Sequence, residues 1–578
     1  MNPETRSLPG SLWVLLISGV LGFWVGAVGF PTWAIPVESA QVVAGLVKYP
    51  LDNPFYIYHT RIWTIVIQLC AVVLRAGVSE ITLSRVLSGL LGMASFQALA
   101  LFTYAIGGDA LLAIGSAFVI FFSRITDAGV VYPVMLLDTH HTYGALGLSA
   151  LVLVTALFGA GCYRSGGFLL GLAPAIHPSL AVWVGLAMTI AFASDFRRLT
   201  VEFRPALKYF LAGGAVAAVS LAVQLIFISR SLPVDPHESA RYFRAFVNVW
   251  DDHRRPVHMS QEGVIVNWAA LSLAVVWLKL AGADLSMPSR FLLRTVAAAS
   301  VLGLGAAAFT WIPAEHQPVL LSMLMPARLL NYNVMVIGAL IAGLLSRQRY
   351  DAAAQTMLAL FLGLLLVNTR SPVNHHFVRP MFVFAFGTLA AAVCRKRGRA
   401  PFSAAATQKR SPAPFWYAAV GVCVVAAALT LRSHRSASFY RDHTNDAFFA
   451  AVAAETQGVV LTAGSYQLVQ LYTHRPVLID GGGLDSMTYA PDTGPAMDRI
   501  LRDVYGVDFF NPPRWAKSSS QLSHEAIKAT WAGFSPVKWR QIRREFGVTQ
   551  VLTRTDYSLD LPVVAEEGSF RLYRIPEQ

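Results

Sequence analysis

A single carboxylate, Glu38, follows the first long apolar run of the chain, in the stretch PVESAQVVAG at 36–45. A carboxylate held between apolar walls beside a cavity has a raised proton affinity and can act as a general base. It can also bind a divalent cation that neutralises a phosphate leaving group. Acidic residues are equally favoured in the first turn of a helix, so Glu38 could instead begin a short surface helix. The residue type alone leaves these alternatives open.

The motif DTHHTYG at 138–144 is a second place where the sequence could do chemistry. Asp138, His140 and His141 carry groups that relay protons or bind metal ions. The spacing is not that of a zinc-binding HExxH helix, and the four cysteines lack metal-ligand spacing, so no metal site is predicted. The alternative is a hydrogen-bonded cap ahead of the apolar run that begins at 144.

Arginine and histidine recur in the other polar loops between the apolar runs. Arginine binds phosphate oxygens in a bidentate manner, and neighbouring apolar walls strengthen that attraction. The alternative is that these side chains only reach toward the membrane interface. The residues predicted to bind substrate are Asp52, His59, Arg61, His140, His141, Arg328, Arg370, His375, His376 and Arg379.

The composition indicates which elements must position these residues. Of 578 residues, 55% are hydrophobic and only 14% are charged, whereas a soluble domain has about 25% charged residues. A polytopic α-helical membrane protein is therefore predicted. The net charge of +13 does not indicate nucleic-acid binding, because the Lys and Arg residues gather between apolar runs, as topology control requires.

The apolar runs predict about thirteen transmembrane helices. The loop at 395–410 has six basic residues and no acidic one, which predicts a cytoplasmic position. Alternation from this loop places the N-terminus inside and the loop with Glu38 outside, together with 126–143, 230–262, 313–330 and 369–380. The apolar segment 62–74 breaks the alternation, so we expect a partly buried helix at the outer interface. The predicted location is the bacterial cytoplasmic (inner) membrane.

The pattern changes after residue 431. Residues 1–431 form the predicted transmembrane domain, whereas 432–578 alternate between helical and strand patterns and contain no membrane-length apolar run. This alternation predicts a small α/β domain with a partly parallel sheet, located on the outer, periplasmic face. The glycine turn IDGGGLD at 479–485 lacks phosphate-loop spacing, so nucleotide binding is not expected there.

Two stretches carry a resemblance to a known family. They are EITLSRVLSGLLGMASFQALALFTYAIGGDALLAIGSAFVIFFSRI at 80–125 and YRSGGFLLGLAPAIHPSLAVWVGLAMTIAF at 163–192. With an acid in the first outer loop and an outer α/β domain, the chain resembles the integral-membrane GT-C glycosyltransferases, in particular the bacterial lipid A aminoarabinose transferase and protein O-mannosyltransferase branch. The resemblance implies that Glu38 is the catalytic base or a metal-proximal acid, and that a second acid corresponds to Asp138 or Asp127. The branch usually has an aspartate, often paired with another acid, where this chain has a lone Glu38.

The resemblance implies a function. A sugar would move from a polyprenyl-phosphate-linked donor to a lipid, glycan or protein acceptor at the outer face of the cytoplasmic membrane. The resemblance implies no definite cofactor and leaves a divalent cation open. The alternative is a non-transferase polytopic protein of cell-envelope polysaccharide export, polymerisation or ligation. A transporter fits less well, because neither mid-membrane charges nor matching halves are evident.

Overall fold

The computed structural model describes most of the chain. It covers residues 8–29, 33–123, 129–130, 136, 140–229, 234–251, 253–281, 284–348, 352–368 and 447–577, apart from 464–465, 480–482 and 519–520, together with residues 384, 387, 421 and 425. The predicted boundary between 431 and 432 lies outside these residues.

Helices make up nearly all of the described chain up to residue 368. They are α1 (Leu8–Trp24), α2 (Ile35–Ala44), α3 (Pro54–Arg61), α4 (Ile65–Arg75), α5 (Glu80–Gly107), α6 (Ala110–Phe122), α7 (Tyr143–Gly159), α8 (Tyr163–Ile176), α9 (Pro178–Ala193), α10 (Phe196–Glu202), α11 (Leu207–Ile228), α12 (Pro236–Val249), α13 (Glu262–Ala281), α14 (Met287–Phe309), α15 (Val319–Met323), α16 (Leu330–Ser346) and α17 (Ala352–Asn368). A π-helical turn, Val25–Gly29, follows α1, so the first apolar run leaves its regular helix well before Ile35.

Six of the described helices are long and apolar enough to cross a membrane, and the number reaches eight if each of two bent helix pairs is one span. The protein is therefore a polytopic helical membrane protein, as the composition predicts. The count of thirteen is not confirmed, because several predicted runs form shorter helices and the runs at 381–394 and 415–431 lie outside the described residues.

Helix α16 lies at the centre of the membrane-region core. All of its residues are buried. Other helices around it approach each other closely where they carry small residues. A methyl group added at Gly22 of α1 would lie 2.5 Å from the carbonyl oxygen of Gly92 on α5. Helix α11, in contrast, exposes large apolar side chains such as Leu211 and Val219. A lipid environment suits such a surface.

The segment predicted to lie at the outer interface forms α4. Its axis turns by 106° from that of α3, and the break is stabilised by Thr64, whose hydroxyl accepts a hydrogen bond from the Val66 amide. One face of α4 is buried through residues such as Ile67 and Cys70, whereas Val72 is 64% exposed. The segment is therefore partly buried, as the sequence predicts, and its position at the outer interface stays a prediction.

A mixed sheet forms the centre of the C-terminal region. Its strands are β3 (Val459–Thr462), β6 (Val548–Arg554), β7 (Val563–Glu567) and β8 (Phe570–Arg574), in the order β3-β6-β8-β7. Strands β3 and β6 are parallel, and the other two pairs are antiparallel. The partly parallel sheet expected from the sequence is present. The helices described in this region are α18 (Ala447–Ala454), α19 (Tyr466–Thr473), α20 (Gly494–Tyr505), α21 (His524–Ala532) and α22 (Pro536–Phe546). Two short strands, β4 (Lys517–Ser518) and β5 (Gln521–Leu522), pair in antiparallel orientation.

The core of the C-terminal region extends into the part of the chain that precedes it. Tyr49, Phe55, Tyr242 and Trp250 belong to the same buried cluster as the residues of β3 and β6. Asn53, the N-cap of α3, donates hydrogen bonds from its side-chain amide to the carbonyl oxygens of Val477 (3.1 Å) and Leu478 (3.3 Å). The loop after α2 is therefore fixed against the C-terminal region.

Candidate active site between the membrane helices and the C-terminal region

Glu38 lies in the first turn of α2 and is completely buried. The sequence left open whether it begins a surface helix, and the structure shows a helix start that is not on the surface. Its carboxylate interacts electrostatically with the phenols of Tyr58 and Tyr143. Its backbone carbonyl oxygen accepts a hydrogen bond of 2.9 Å from the side-chain amide of Gln470, so the C-terminal region fixes the turn that carries the acid.

The residue after Glu38 connects three elements. The Ser39 hydroxyl is 2.8 Å from Nδ1 of His59 and 2.9 Å from the hydroxyl of Tyr143. These contacts join α2, α3 and α7 beside the carboxylate. The His59 ring is 1% exposed and lies edge-on to Tyr58 at 5.1 Å. His59 therefore contributes to the site by the packing of its ring against Tyr58 and by its hydrogen bond to Ser39.

The two loops expected to carry catalytic acids are joined through their backbones. Strand β1 (Trp33–Ala34) pairs in parallel with β2 (His140–His141), with Trp33 opposite His140. Because β1 directly precedes α2, this pairing brings the chain of the DTHHTYG motif next to the start of the helix that carries Glu38.

Arg328 supplies a buried cation. It lies in the 3-10 turn Pro326–Leu329 just before α16 and is only 5% exposed. Its Nη2 atom donates a hydrogen bond of 2.8 Å to the hydroxyl of Tyr489 in the C-terminal region, and its guanidinium lies 5.7 Å from the centre of that ring. The preceding Met325 has φ of 44°, a left-handed conformation that is strained for a residue with a side chain.

The C-terminal region also contributes a carboxylate, Asp485, on the side of the site where Arg328 lies. Asp485 Oδ2 is 3.2 Å from Nε2 of His253, which lies in the loop between α12 and α13. The hydrogen bond to Asp485 raises the pKa of His253 above its ordinary value, against the opposing effects of burial and of Arg328. The neighbouring Asp251 and Arg254 form a buried ion pair of 2.5 Å that anchors this loop.

Tyr58 on α3 lies between the two groups of charges. Its phenol interacts electrostatically with both Glu38 and Asp485, and its ring centre is 6.4 Å from that of Tyr489. Since Tyr489 contacts Arg328, the buried carboxylate, the two tyrosines and the buried cation belong to one cluster. The site therefore combines an acid, a cation and aromatic rings at the junction of the two regions.

The predicted catalytic and substrate-binding residues other than Glu38 fall into four groups. Arg328 lies in the site, and His59 and Arg61 lie on the helix that lines it, where Arg61 forms an ion pair with Asp492. Asp52 is exposed on the turn before α3 and is not brought to the site. Only the backbone of His140 and His141 is described. The remaining predicted residues, which lie outside the described residues, are Asp138, Arg370, His375, His376 and Arg379.

Several residues of the site were not predicted from the sequence. Tyr58, Tyr489, Asp485 and His253 come from four segments that only the fold brings together. Two features of the sequence could have indicated these segments. They are the polar run DDHRR at 251–255, which contains His253, and the glycine-rich stretch at 479–485, which ends at Asp485.

The described residues contain no group of three His, Cys, Asp or Glu side chains that could hold a metal ion. Asp485 is already hydrogen-bonded to His253, and Glu38 interacts electrostatically with tyrosine phenols. The donors in the described part of the site do not fit a divalent cation, which prefers several oxygen ligands. We therefore derive no step through a metal.

The fold is similar to two solved structures. These are the crystal structure of ArnT from Cupriavidus metallidurans bound to undecaprenyl phosphate, with 14% identity, a TM-score of 0.44 and 98% of each chain covered, and that of the same protein in the apo state, with 14% identity, a TM-score of 0.43 and 98% of this chain and 99% of that chain covered. ArnT is a GT-C glycosyltransferase, the class that the sequence resembles. No protein-family model and no curated protein matches the sequence. A likeness of this degree does not assign a function, which must come from the geometry of the site.

Proposed function

We propose that the protein is a membrane glycosyltransferase. It transfers a sugar from a polyprenyl-phosphate-linked donor to an acceptor hydroxyl at the outer face of the cytoplasmic membrane. The observation that carries this proposal is the presence of a fully buried carboxylate, Glu38, and a buried cation, Arg328, in one cluster connected by Tyr58 and Tyr489. The donor class follows from the resemblance of the sequence to the GT-C transferases.

The two charged side chains suit the two requirements of the reaction, which are removal of the acceptor proton and stabilisation of the leaving phosphate. The acceptor hydroxyl attacks the anomeric carbon of the donor sugar, and its proton passes to the Glu38 carboxylate. The bond between the anomeric carbon and the phosphate oxygen breaks, and the electron pair leaves with the polyprenyl phosphate. The guanidinium of Arg328 stabilises the charge that develops on this leaving group. Burial of both side chains strengthens these interactions, because fewer waters screen them.

Loop charge supports the orientation of the site. The basic loop at 395–410 is expected inside, which places the loops with Glu38 and Arg328 outside together with the C-terminal region, proposed as a periplasmic domain over 432–578. A polyprenyl phosphate in the outer leaflet presents its headgroup near the membrane surface. There it would lie next to the junction of the two regions that holds Glu38 and Arg328.

The purified protein in lipid nanodiscs provides the test. We would supply a panel of undecaprenyl-phosphate-linked hexoses and pentoses with a cell-envelope extract as the source of acceptors, and measure the release of undecaprenyl phosphate. The wild type should release it from at least one donor. Glu38→Gln should lower the rate by about 100-fold or more, since general-base catalysis contributes that much.

Two controls accompany this test. Glu567→Gln makes the same chemical change on an exposed strand of the C-terminal region and should keep the wild-type rate. Binding of undecaprenyl phosphate to Glu38→Gln reports whether the variant folds. Wild-type activity in a folded Glu38→Gln protein would remove Glu38 as the base. A wild type that consumes no donor of the panel would contradict the transferase function.

A further inference from the structure

Gly483 begins a 3-10 turn, Gly483–Thr488, that lies directly against the helix that lines the site. A methyl group added at Gly483 would be 2.6 Å from the tip of the Phe55 ring on α3. Only glycine permits this approach, and the approach places Asp485, two residues later, next to Tyr58. The turn therefore brings a carboxylate from the C-terminal region into a site built mainly by the membrane region.

The Asp485 carboxylate has one engaged and one open oxygen. Oδ2 is 3.2 Å from His253, whereas Oδ1 is buried and, among the described residues, accepts no hydrogen bond. The side chain as a whole is 36% exposed, so a ligand can approach the carboxylate, although Oδ1 itself is shielded. A shielded carboxylate oxygen without a donor costs free energy, and a hydroxyl group of a ligand would recover that cost.

Tyr58 interacts electrostatically with this carboxylate, and its ring centre is 6.4 Å from that of Tyr489. Tyr58 is buried, whereas Tyr489 is 42% exposed, although its hydroxyl is fixed by Arg328. Sugars present apolar C–H faces and hydroxyl edges, and aromatic rings with an adjacent carboxylate match both parts. The group suits a sugar better than it suits a lipid chain or a nucleotide.

We propose that Asp485 and Tyr489 hold the sugar of the donor, with Asp485 accepting a hydrogen bond from a sugar hydroxyl and the Tyr489 ring packing against the sugar face. This assignment rests on the proposed transferase function. In the donor the sugar is bonded directly to the phosphate, so its binding groups must adjoin the cation that binds the phosphate. Tyr489 is hydrogen-bonded to Arg328, and His253, the partner of Asp485, interacts electrostatically with the same arginine. The C-terminal region thereby selects the sugar.

Binding measurements test the sugar site separately from catalysis. The full chain in nanodiscs would be titrated with undecaprenyl phosphate and with undecaprenyl-phosphate-linked hexoses that differ at one hydroxyl group. The wild type should bind the preferred sugar-bearing lipid about tenfold more tightly than the bare lipid phosphate, as one or two well-placed hydrogen bonds would provide. In Asp485→Asn this ratio should fall toward one, while binding of the bare lipid phosphate changes less than about twofold. In Tyr489→Leu the ratio should also fall toward one, and both lipids should bind more weakly, because the hydroxyl that fixes Arg328 is lost as well.

The matched control is Asp560→Asn, which removes an exposed carboxylate elsewhere in the C-terminal region and should keep the wild-type ratio. Retained binding of the bare lipid phosphate shows that Asp485→Asn is folded, and weakened but measurable binding shows the same for Tyr489→Leu. An unchanged ratio in Asp485→Asn, or a wild type that binds both lipids equally, would overturn the sugar site. Failure of the transferase function would show differently, as a wild type that distinguishes the sugar-bearing lipid yet releases no undecaprenyl phosphate.

Discussion

Arg328 donates a hydrogen bond of 2.8 Å to the hydroxyl of Tyr489, and this bond joins the turn before the central helix α16 to the C-terminal region. The cation that we assign to the donor phosphate is therefore oriented by a residue from the other end of the chain. A bond from a charged group contributes about 1.5–3 kcal/mol when it is buried, so its loss should be measurable in function.

Tyr489→Phe removes this bond and keeps the ring. We expect KM for the lipid-linked donor to rise by about tenfold, because the guanidinium loses one of its fixed partners. The value of kcat should change less, since Glu38 is untouched. Steady-state release of undecaprenyl phosphate measures both constants. A KM equal to that of the wild type would show that the hydroxyl does not orient Arg328.

Arg328→Lys keeps the charge and removes the planar fork of donors. Arginine and lysine are not equivalent where phosphate oxygens are held in bidentate geometry. We expect transfer to fall by about 30- to 100-fold and binding of undecaprenyl phosphate to weaken. Arg574→Lys, an exposed position on β8, is the matched control. If Arg328→Lys transferred sugar at the wild-type rate, a point charge alone would be sufficient.

The contact between His253 and Asp485 predicts a pH dependence. The folded-state pKa of His253 is raised above 6.5 by Asp485 and Asp251, against burial and Arg328. The charged pair is therefore complete below pH 6.5 and is lost as the pH rises through the higher folded-state value. We expect KM for the donor to increase on this alkaline side. In His253→Gln the KM should not rise with pH over this range. A pH profile of KM equal to that of the wild type would contradict the role of this pair.

Asn53→Ala tests how the loop after α2 is fixed. The change removes the N-cap of α3 and the two hydrogen bonds to the carbonyl oxygens of Val477 and Leu478. We expect a loss of about 2–3 kcal/mol in the free energy of unfolding, measured by tryptophan fluorescence during thermal unfolding in detergent.

Ser79→Ala is the control for this measurement. Ser79 caps α5, and its hydroxyl accepts a hydrogen bond from the Thr82 amide on an exposed surface. Its loss should cost about 0.5–1 kcal/mol. Equal effects of the two substitutions would show that Asn53 acts only as a helix cap and does not tie α3 to the C-terminal region.

The sequence predicted the parts of the fold that depend on local pattern. The runs that became α5, α11, α13 and α14 were recognised because their apolar stretches have membrane length, and β6 was recognised from its alternation with helices. Local pattern did not settle the number of transmembrane helices. Helix α16 is as apolar as a lipid-facing span yet is completely enclosed by protein, and composition does not separate these two environments.

The site was predictable only where a charged residue stood out against an apolar background. Glu38 and Arg328 were recognised for that reason. Asp485 and His253 lie 232 positions apart, and no local pattern indicates that they meet. Tyr58 and Tyr489 were missed because tyrosine is common at membrane interfaces, so its presence in a polar loop carries little information before the fold is known.

The shared core of the C-terminal region has a consequence for biosynthesis. Tyr49, Phe55, Tyr242 and Trp250 pack with β3 and β6, yet the ribosome makes these four residues long before either strand. Their apolar surface is covered only after the last part of the chain has emerged. During translation these four side chains therefore lack their packing partners until β3 and β6 have been made.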